Sequence, residues 1–233
     1  MKSSLFEHFR SSEQEKSTIK SWKIFVNHYT FSQSFISLSQ KKMKILIVCA
    51  TPWELKTVKT QIKSLNLKIK LQIDYLCTGM GNYAMILALT KYLTQHAQEE
   101  FFLVNIWVCG YYTSSIPPKL LQIWRIKNLA TSKELLPPLP FLCGEVASIY
   151  SSEIPKTRWD IDWEGFVDME SWGFELVADH FRFPRLLLKV PCDKVGEETL
   201  NFDRTLALSK LAQGINYQDL IQKILSRAEK SYH

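Results

Sequence analysis

The chain has 233 residues, of which 46% are hydrophobic and 22% charged, and its formal net charge is +6. This balance is typical of one folded domain with a substantial core, and it excludes a disordered chain. No run of about 18 apolar residues occurs, so the sequence predicts no membrane-spanning helix and no membrane partner. Lysine and arginine are dispersed rather than clustered, which favours a solvated surface over a nucleic-acid-binding one.

The cysteines are odd in number and widely spaced, at Cys49, Cys77, Cys109, Cys143 and Cys192. No CxxC pair occurs, so we predict neither a disulfide framework nor a metal site, and a reducing cytoplasm fits best. All except Cys143 fall near the carboxyl end of a predicted strand, where they can fill one crevice as small apolar side chains. A catalytic thiol is the alternative, but no histidine is placed to activate one.

Residues 1–42 differ in composition from the rest of the chain. They are rich in Ser, Lys, Gln and aromatic residues, show no clear period, and lack the compact apolar core and cleavage site of a secretory signal. A second methionine, Met43, directly precedes the first convincing strand. We therefore predict a loosely attached extension at 1–42, or upstream sequence included by the choice of start codon, followed by an α/β domain at 43–233.

The first half of this domain alternates strands and helices, as in a parallel sheet covered by helices. In chain order we predict a strand at 44–50, a helix from 51, a strand at 67–76, a glycine-rich turn at 78–82, a helix at 83–93 and a strand at 101–109. Thr51 suits the N-cap and Pro52 the first helical position, so Glu54 falls in the first turn, facing the carboxyl end of a strand. Gly79 and Gly81 either let the backbone approach a ligand or merely reverse the chain.

The second half is less regular. We expect Gly110 to end the third strand and a polar loop to follow at 111–115. Strands are predicted at 120–129 and 145–150, irregular segments at 135–141 and 151–165, and a helical tail at 202–231 that breaks near 214–216.

The stretch from 166 to 193 carries the most informative pattern. Asp168 is expected to cap a helix that stops before Pro184, which places Glu170 in the first turn. A buried strand is predicted at 186–190, and Asp193 follows its exit. Because ligands of open α/β sheets bind beyond the carboxyl ends of the strands, Glu54, Glu170 and Asp193 are expected around one crevice. The alternative is that each acid is only a helix cap or a turn residue.

Four motifs resemble the superfamily of purine nucleoside phosphorylases and nucleosidases: Ala50-Thr51-Pro52-Trp53-Glu54, Thr78-Gly79-Met80-Gly81, Val167-Asp168-Met169-Glu170-Ser171 and Cys192-Asp193. The likeness is closest to the nucleosidases for methylthioadenosine and S-adenosylhomocysteine and to the futalosine hydrolases of menaquinone synthesis, and it covers about residues 43–230. It implies a three-layer α/β/α sandwich with a mostly parallel central sheet. It also implies a cytoplasmic homodimer that acts on a small nucleoside without metal or cofactor.

The resemblance implies a role for each acid. Asp193 matches the general acid that protonates the leaving base, and Glu54 matches the group that activates the attacking water. Glu170 matches the residue that grips the ribose hydroxyls, and Met169 packs against the sugar. The glycines expected near the ligand are Gly79, Gly81 and Gly110, and the expected base contacts are Glu153, Ile154 and Cys192.

The sequence also departs from the pattern of these relatives. Cys192 stands where they usually carry Ser, Lys189 replaces a usual Arg, and the bulky pair Tyr111-Tyr112 follows Gly110 where small residues are usual. These rings are expected to close or reshape the pocket. Neither the Gly79 turn nor the Gly110 loop contains Arg or Lys, and Glu54 repels phosphate, so hydrolysis is favoured over phosphorolysis. A phosphorylase and a non-catalytic nucleoside-binding relative remain the alternatives.

Overall fold

A computed structural model describes residues 43–65, 72–159 and 164–230. The predicted extension at 1–42, the first part of the strand predicted at 67–76, and residues 160–163 of the irregular segment lie outside these ranges. The described elements are β1 (Lys44–Cys49), α1 (Pro52–Lys63), β2 (Ile73–Cys77), α2 (Asn82–Gln95), β3 (Phe101–Tyr112), β4 (Leu121–Asn128), β5 (Glu134–Leu135), β6 (Glu145–Ser151), β7 (Gly165–Asp168), α3 (Ser171–His180), β8 (Arg185–Lys194), α4 (Glu197–Leu200), α5 (Arg204–Gly214) and α6 (Tyr217–Lys230).

The layered architecture confirms the predicted three-layer sandwich. One face of the sheet packs against α2 and α3, through core residues such as Met85, Leu89 and Phe174. The other face packs against α1, α5 and α6, through residues such as Val58 and Ile221. Successive residues of β1 point alternately into the two cores, which is why this strand reads as an unbroken apolar run.

The sheet is mixed, which corrects the prediction of a mostly parallel one. Strands β1–β2, β1–β3, β3–β8, β4–β6 and β6–β7 pair in parallel, whereas β3–β7, β4–β8 and β4–β5 are antiparallel. Because β8 pairs with both β3 and β4, the strands β3, β8, β4, β6 and β7 close into a ring. Apolar runs mark the strands, but their composition gives no direction of pairing.

Strand β3 changes partners along one of its edges. Residues Phe101–Asn105 pair with β1, and Gly110–Tyr112 pair with β7. The prediction that Gly110 ends the strand is therefore wrong, because β7 and β8 flank the chain beyond it. Between the two partners, residues 106–109 of β3 have no neighbouring strand on this edge among the described residues.

Strand β8 is longer than predicted and contains a bulge. It runs from Arg185 to Lys194, so Asp193 lies within the strand rather than after it. Opposite β3, Cys109 pairs with Pro191 and Gly110 pairs with Asp193, which leaves Cys192 as an extra residue. A bulge of this kind bends the strand and re-aims the side chains that follow it.

The helix starts are set by local chemistry. Thr51 caps α1 with Pro52 next to it, as predicted, and Thr51 and Glu54 form a capping box. Helix α3 begins at Ser171, with Glu170 as its cap residue, so the predicted cap at Asp168 is two residues too early. Asp168 ends β7 instead, although its carboxylate still accepts hydrogen bonds from the Ser171 backbone N–H.

The C-terminal part confirms the predicted helical tail and its break, since α5 ends at Gly214 and α6 begins at Tyr217. Within the described ranges, no helix combines the length and apolar character needed to cross a membrane.

Candidate active site

A cavity of about 420 Å³ opens beside the unpaired stretch of β3, where the chain leaves β1 and β8. Its lining includes Glu54, Glu170 and Asp193, the three acids that the sequence predicts to share a crevice. The structure thus brings together side chains that are far apart along the chain. The other predicted site residues that line this cavity are Gly110, Ile154 and Met169.

Glu54 is held by the start of its own helix and by the neighbouring strand. Its Oε2 accepts from the Thr51 backbone N–H at 2.9 Å and from the Thr51 hydroxyl at 2.7 Å. Its Oε1 accepts from the Val108 N–H at 3.3 Å, on the edge of β3 that no described strand covers. The side chain is 2% exposed, and this burial raises the pKa of Glu54 although the hydrogen bonds oppose the shift.

Glu170 is oriented by the glycine turn. Its Oε1 accepts from the Gly81 N–H at 2.7 Å, and its Oε2 accepts from the Met169 N–H at 3.2 Å. Gly79 and Gly81 adopt φ angles of +88° and +94°, a region that favours glycine, and this conformation presents the N–H to the carboxylate. Burial, together with the nearby negative charge of Asp168, raises the pKa of Glu170 to about 8.

Asp193 receives two hydrogen bonds from neighbours in sequence. The Thr199 hydroxyl donates to Oδ2 at 2.9 Å, and the Cys192 thiol donates to Oδ1 at 2.9 Å. Burial, with Asp193 next to it, raises the pKa of Cys192 well above the usual range, so this thiol keeps its proton and remains a donor. The cysteine therefore makes the contact that a serine hydroxyl would make, although a thiol is a weaker donor.

A buried charged cluster lies under the cavity floor. The Lys189 ammonium is fully buried, 2.8 Å from Asp168 Oδ2, 2.7 Å from Asn105 Oδ1 and 3.6 Å from the centroid of the Trp107 ring. Asp168 also accepts from Trp107 Nε1 and from the Ser171 hydroxyl. Sequence reasoning assigned Asp168 only a capping role and missed the cluster. The signal was Lys189 itself, because a lysine within a buried strand requires a partner.

The rim of the cavity is aromatic and carries positive charge. The rings of Trp53 and Phe202 lie 6.1 Å apart between centroids, and the Arg204 guanidinium lies 5.5 Å from the centroid of Trp53. Arg204 and Lys156 both line the cavity. These two cations were not predicted, because they lie in irregular or helical segments without a motif.

We compared the chain with known protein families, curated proteins and solved structures. No protein-family model matches the chain, and no curated protein does either. Among solved structures, a 5′-methylthioadenosine/S-adenosylhomocysteine nucleosidase of Helicobacter pylori is 14% identical, with a TM-score of 0.62 over 82% of this chain and 100% of its own. The futalosine hydrolase of Helicobacter pylori is 15% identical, with a TM-score of 0.61 over 81% and 98%. The chain has the nucleosidase fold.

A third structure with the nucleosidase fold comes from Streptococcus pneumoniae. It is a methylthioadenosine/S-adenosylhomocysteine nucleosidase in complex with 8-aminoadenine, 15% identical, with a TM-score of 0.58 over 74% of this chain and 96% of its own. At these identities the likeness concerns the fold.

Several residues singled out from the sequence lie outside the cavity lining. Glu153 accepts from the Asn82 side chain, and Cys192 contacts Asp193 from behind. The Gly81 backbone N–H holds Glu170, and Gly79 belongs to the same turn. Of the four cysteines expected to fill the crevice, only Cys109 lines it.

The tyrosine pair does not close this nucleosidase-fold cavity, contrary to expectation. Tyr111 lines a second cavity of about 570 Å³, on a different part of the surface. Tyr112 stacks on Trp159 with ring centroids 5.3 Å apart. Both rings are directed elsewhere because β3 continues as a strand past Gly110 and alternates its side chains.

Proposed function

We propose that the protein is an N-ribosyl hydrolase that cleaves the glycosidic bond of a 5′-modified purine nucleoside. The observation that carries this proposal is the convergence of Glu54, Glu170 and Asp193 on one cavity of about 420 Å³. That volume lies within the usual range for small-ligand pockets, roughly 300–1,000 Å³.

Hydrolysis of an N-glycosidic bond gives each of the three acids a different role. Cleavage of an N-glycosidic bond passes through a cationic, oxocarbenium-like sugar, and the departing purine needs a proton. Asp193, held by Thr199 and Cys192, is the general acid that delivers it. Help of this kind is typically worth ~10²–10⁴-fold in rate. Glu170, with Met169 beside it, accepts hydrogen bonds from the ribose hydroxyls, since a carboxylate can accept from two donors at once.

Glu54 is the group that deprotonates the attacking water. Its pKa is raised by burial, and a general base works best with a pKa close to the working pH. Thr51 donates to one oxygen of this carboxylate and Val108 donates to the other, and the two hydrogen bonds fix its orientation beside the cavity.

The similar solved structures suggest the substrate class. We infer that the substrate is methylthioadenosine, S-adenosylhomocysteine, or futalosine or aminodeoxyfutalosine in menaquinone synthesis, because the similar proteins named above act on the first two or on futalosine. We further infer that the protein works in the cytoplasm as a homodimer. Met80, Tyr83 and Leu87 form an apolar stripe from the cavity rim along α2, each with about 70% exposure or more in agreement with such a contact.

A nucleoside phosphorylase is the second candidate, and one observation favours it. Arg204 and Lys156 line the cavity, and phosphorolysis requires cations to bind the phosphate dianion. The buried Glu54 opposes this reading, because its carboxylate would repel the dianion from the face of the sugar where the nucleophile attacks.

The test is product analysis on the four candidate nucleosides, with and without inorganic phosphate. We expect free base and free ribose derivative in both conditions, and loss of at least about 100-fold in rate for Asp193→Asn. As a matched control, Asp219→Asn on the surface of α6 should leave the rate unchanged. Ribose-1-phosphate formed only with phosphate would establish the phosphorylase instead. No release from any nucleoside would indicate a non-catalytic binding protein.

A further inference from the structure

The ion pair between Lys189 and Asp168 lies beneath the cavity floor, next to the start of α3. The backbone N–H and the hydroxyl of Ser171 both donate to the Asp168 carboxylate. These hydrogen bonds close a short loop that contains Met169 and Glu170. Lys189 contacts Asp168 from the other side. The position of the Glu170 backbone therefore depends on a carboxylate that Lys189 neutralises.

We propose that Lys189 is a positioning residue for the reaction: through Asp168 it fixes the Met169–Glu170 segment, and its charge favours the carboxylate form of Glu170 although a second buried acid lies beside it. This inference rests on the proposed function for its effect on catalysis. Its electrostatic part can be tested without any substrate.

The charges around Glu170 support this assignment. Asp168 on β7 and Glu54 on α1 raise the pKa of Glu170, whereas Lys189 on β8 and the Gly81 N–H lower it. Lys189 itself faces Asp168, Glu170 and Cys109 on β3. Because Lys189 supplies the opposing cation in this buried group, its removal leaves the acids to repel each other in a medium of low dielectric constant.

The cluster is not arranged for stability alone. Burial lowers the pKa of Lys189, which means that the ammonium is costly to desolvate. The Nδ2 of Asn105, fully buried, has no hydrogen-bond partner within the described residues. Replacing a buried ion pair by apolar groups is often neutral or stabilising, so its presence next to the cavity suggests a role in binding or catalysis.

The test compares Lys189→Met with Asp168→Asn, which remove opposite charges from the same pair. Glu170 accepts hydrogen bonds from the ribose hydroxyls best when it is ionised. KM is therefore lowest above the pKa of Glu170 and rises as the pH falls through that pKa. We expect Lys189→Met to move this rise to higher pH and Asp168→Asn to move it to lower pH. Each shift should be at least about one pH unit, the usual effect of a neighbouring buried charge. A merely structural ion pair would change stability and leave the KM profile in place.

The second readout is the pH dependence of the free energy of unfolding, which requires no nucleoside. A carboxyl group whose pKa is raised in the folded state stabilises the fold at low pH, and this contribution is lost as the pH rises towards the folded pKa. In Lys189→Met the loss should extend to higher pH, and adding Glu170→Gln should reduce this extension.

These outcomes separate the two proposals. Shifted stability profiles without base release would refute the proposed function and retain the electrostatic role of Lys189. Base release with unshifted KM and stability profiles would overturn the role of Lys189 and leave the hydrolase. Should Lys189→Met fail to fold, Lys189→Gln takes its place: a shift to higher pH supports the inference, and an unchanged profile overturns it.

Discussion

At the scale of single residues, the proposed general acid is held by two donors of unequal strength. The Thr199 hydroxyl and the Cys192 thiol each contact one oxygen of Asp193 at 2.9 Å. A hydroxyl donates a stronger hydrogen bond than a thiol, so Thr199 carries more of the orientation. Substituting each donor in turn therefore tests which of the two hydrogen bonds orients Asp193.

We expect Thr199→Val to slow base release by up to about tenfold, because an intramolecular hydrogen bond contributes about 0.5–1.5 kcal/mol. Cys192→Ser, which substitutes a stronger donor at the same oxygen, should preserve or increase the rate. The measurement is single-turnover release of the base by each variant. Equal losses from both substitutions would contradict this division between the two donors.

At the scale of elements, the start of α1 combines a structural and a chemical task. The Thr51 hydroxyl accepts from the Glu54 N–H as a helix cap and donates to the Glu54 carboxylate. The cap could be predicted from Thr51-Pro52, because the signal is local. The contact from Val108 could not, because it depends on where β1 and β7 leave the edge of β3.

Thr51→Ala should therefore reduce stability and activity together. Loss of an N-cap costs about 1 kcal/mol, measured as the free energy of unfolding in urea. Base release should fall in addition, because Glu54 loses one of its anchors. Thr51→Ser retains the hydroxyl and serves as the control, with both quantities close to those of the parent protein. If Thr51→Ala lost stability but kept full activity, the anchoring role would be refuted.

The contact between α2 and α3 sets the direction of Glu170 from a distance. The Gly173 N–H donates to Asn82 Oδ1 at 2.8 Å, and a Cβ at Gly173 would lie 2.6 Å from the Asn82 carbonyl oxygen. This close approach brings the Gly81 N–H to Glu170. Sequence patterns predicted both helices but not their contact, since Gly173 in a helix also fits a position without any special role.

We expect Gly173→Ala to destabilise the protein by about 1–3 kcal/mol, the usual cost of forcing an extra group into a packed contact. The loss should appear in urea unfolding, with weaker nucleoside binding because the α2–α3 contact opens beside Glu170. Leu176→Ala, at a half-exposed position on the same helix, should cost far less. Equal effects of the two substitutions would contradict the packing argument.

At the scale of the whole molecule, the fold was predictable and its long-range pairings were not. Apolar runs and helical periods gave the three layers, because burial on both faces marks each central strand. The ring of strands, the bulge at Cys192 and the pairing of Lys189 with Asp168 each join distant segments. No local pattern encodes such contacts. The proximity of Glu54 and Asp193 was predictable because β1 and β8 both run parallel to β3. Glu170 follows β7, which runs antiparallel to β3, so the rule of shared strand ends does not explain its position.

The apolar stripe on α2 yields a prediction about assembly. If Met80, Tyr83 and Leu87 form the contact between two copies, Leu87→Glu should shift the protein from dimer to monomer. Sedimentation velocity measures this directly. Ile116→Glu, at a residue with 95% exposure away from the stripe, is the control and should leave the mass unchanged. A parent protein that sediments as a monomer would refute the stripe as a dimer contact.

The length of β1 has a consequence for chemistry. The strand ends at Cys49 and Pro52 begins α1, so β1 does not extend alongside residues 106–109 of β3. A β1 longer by a few residues would bring backbone carbonyls to the Val108 amide and displace the Glu54 carboxylate from it. The length of β1 is therefore constrained even where no side chain is substituted. Residues inserted before Thr51 would extend the pairing of β1 with β3 and displace the proposed water-activating group.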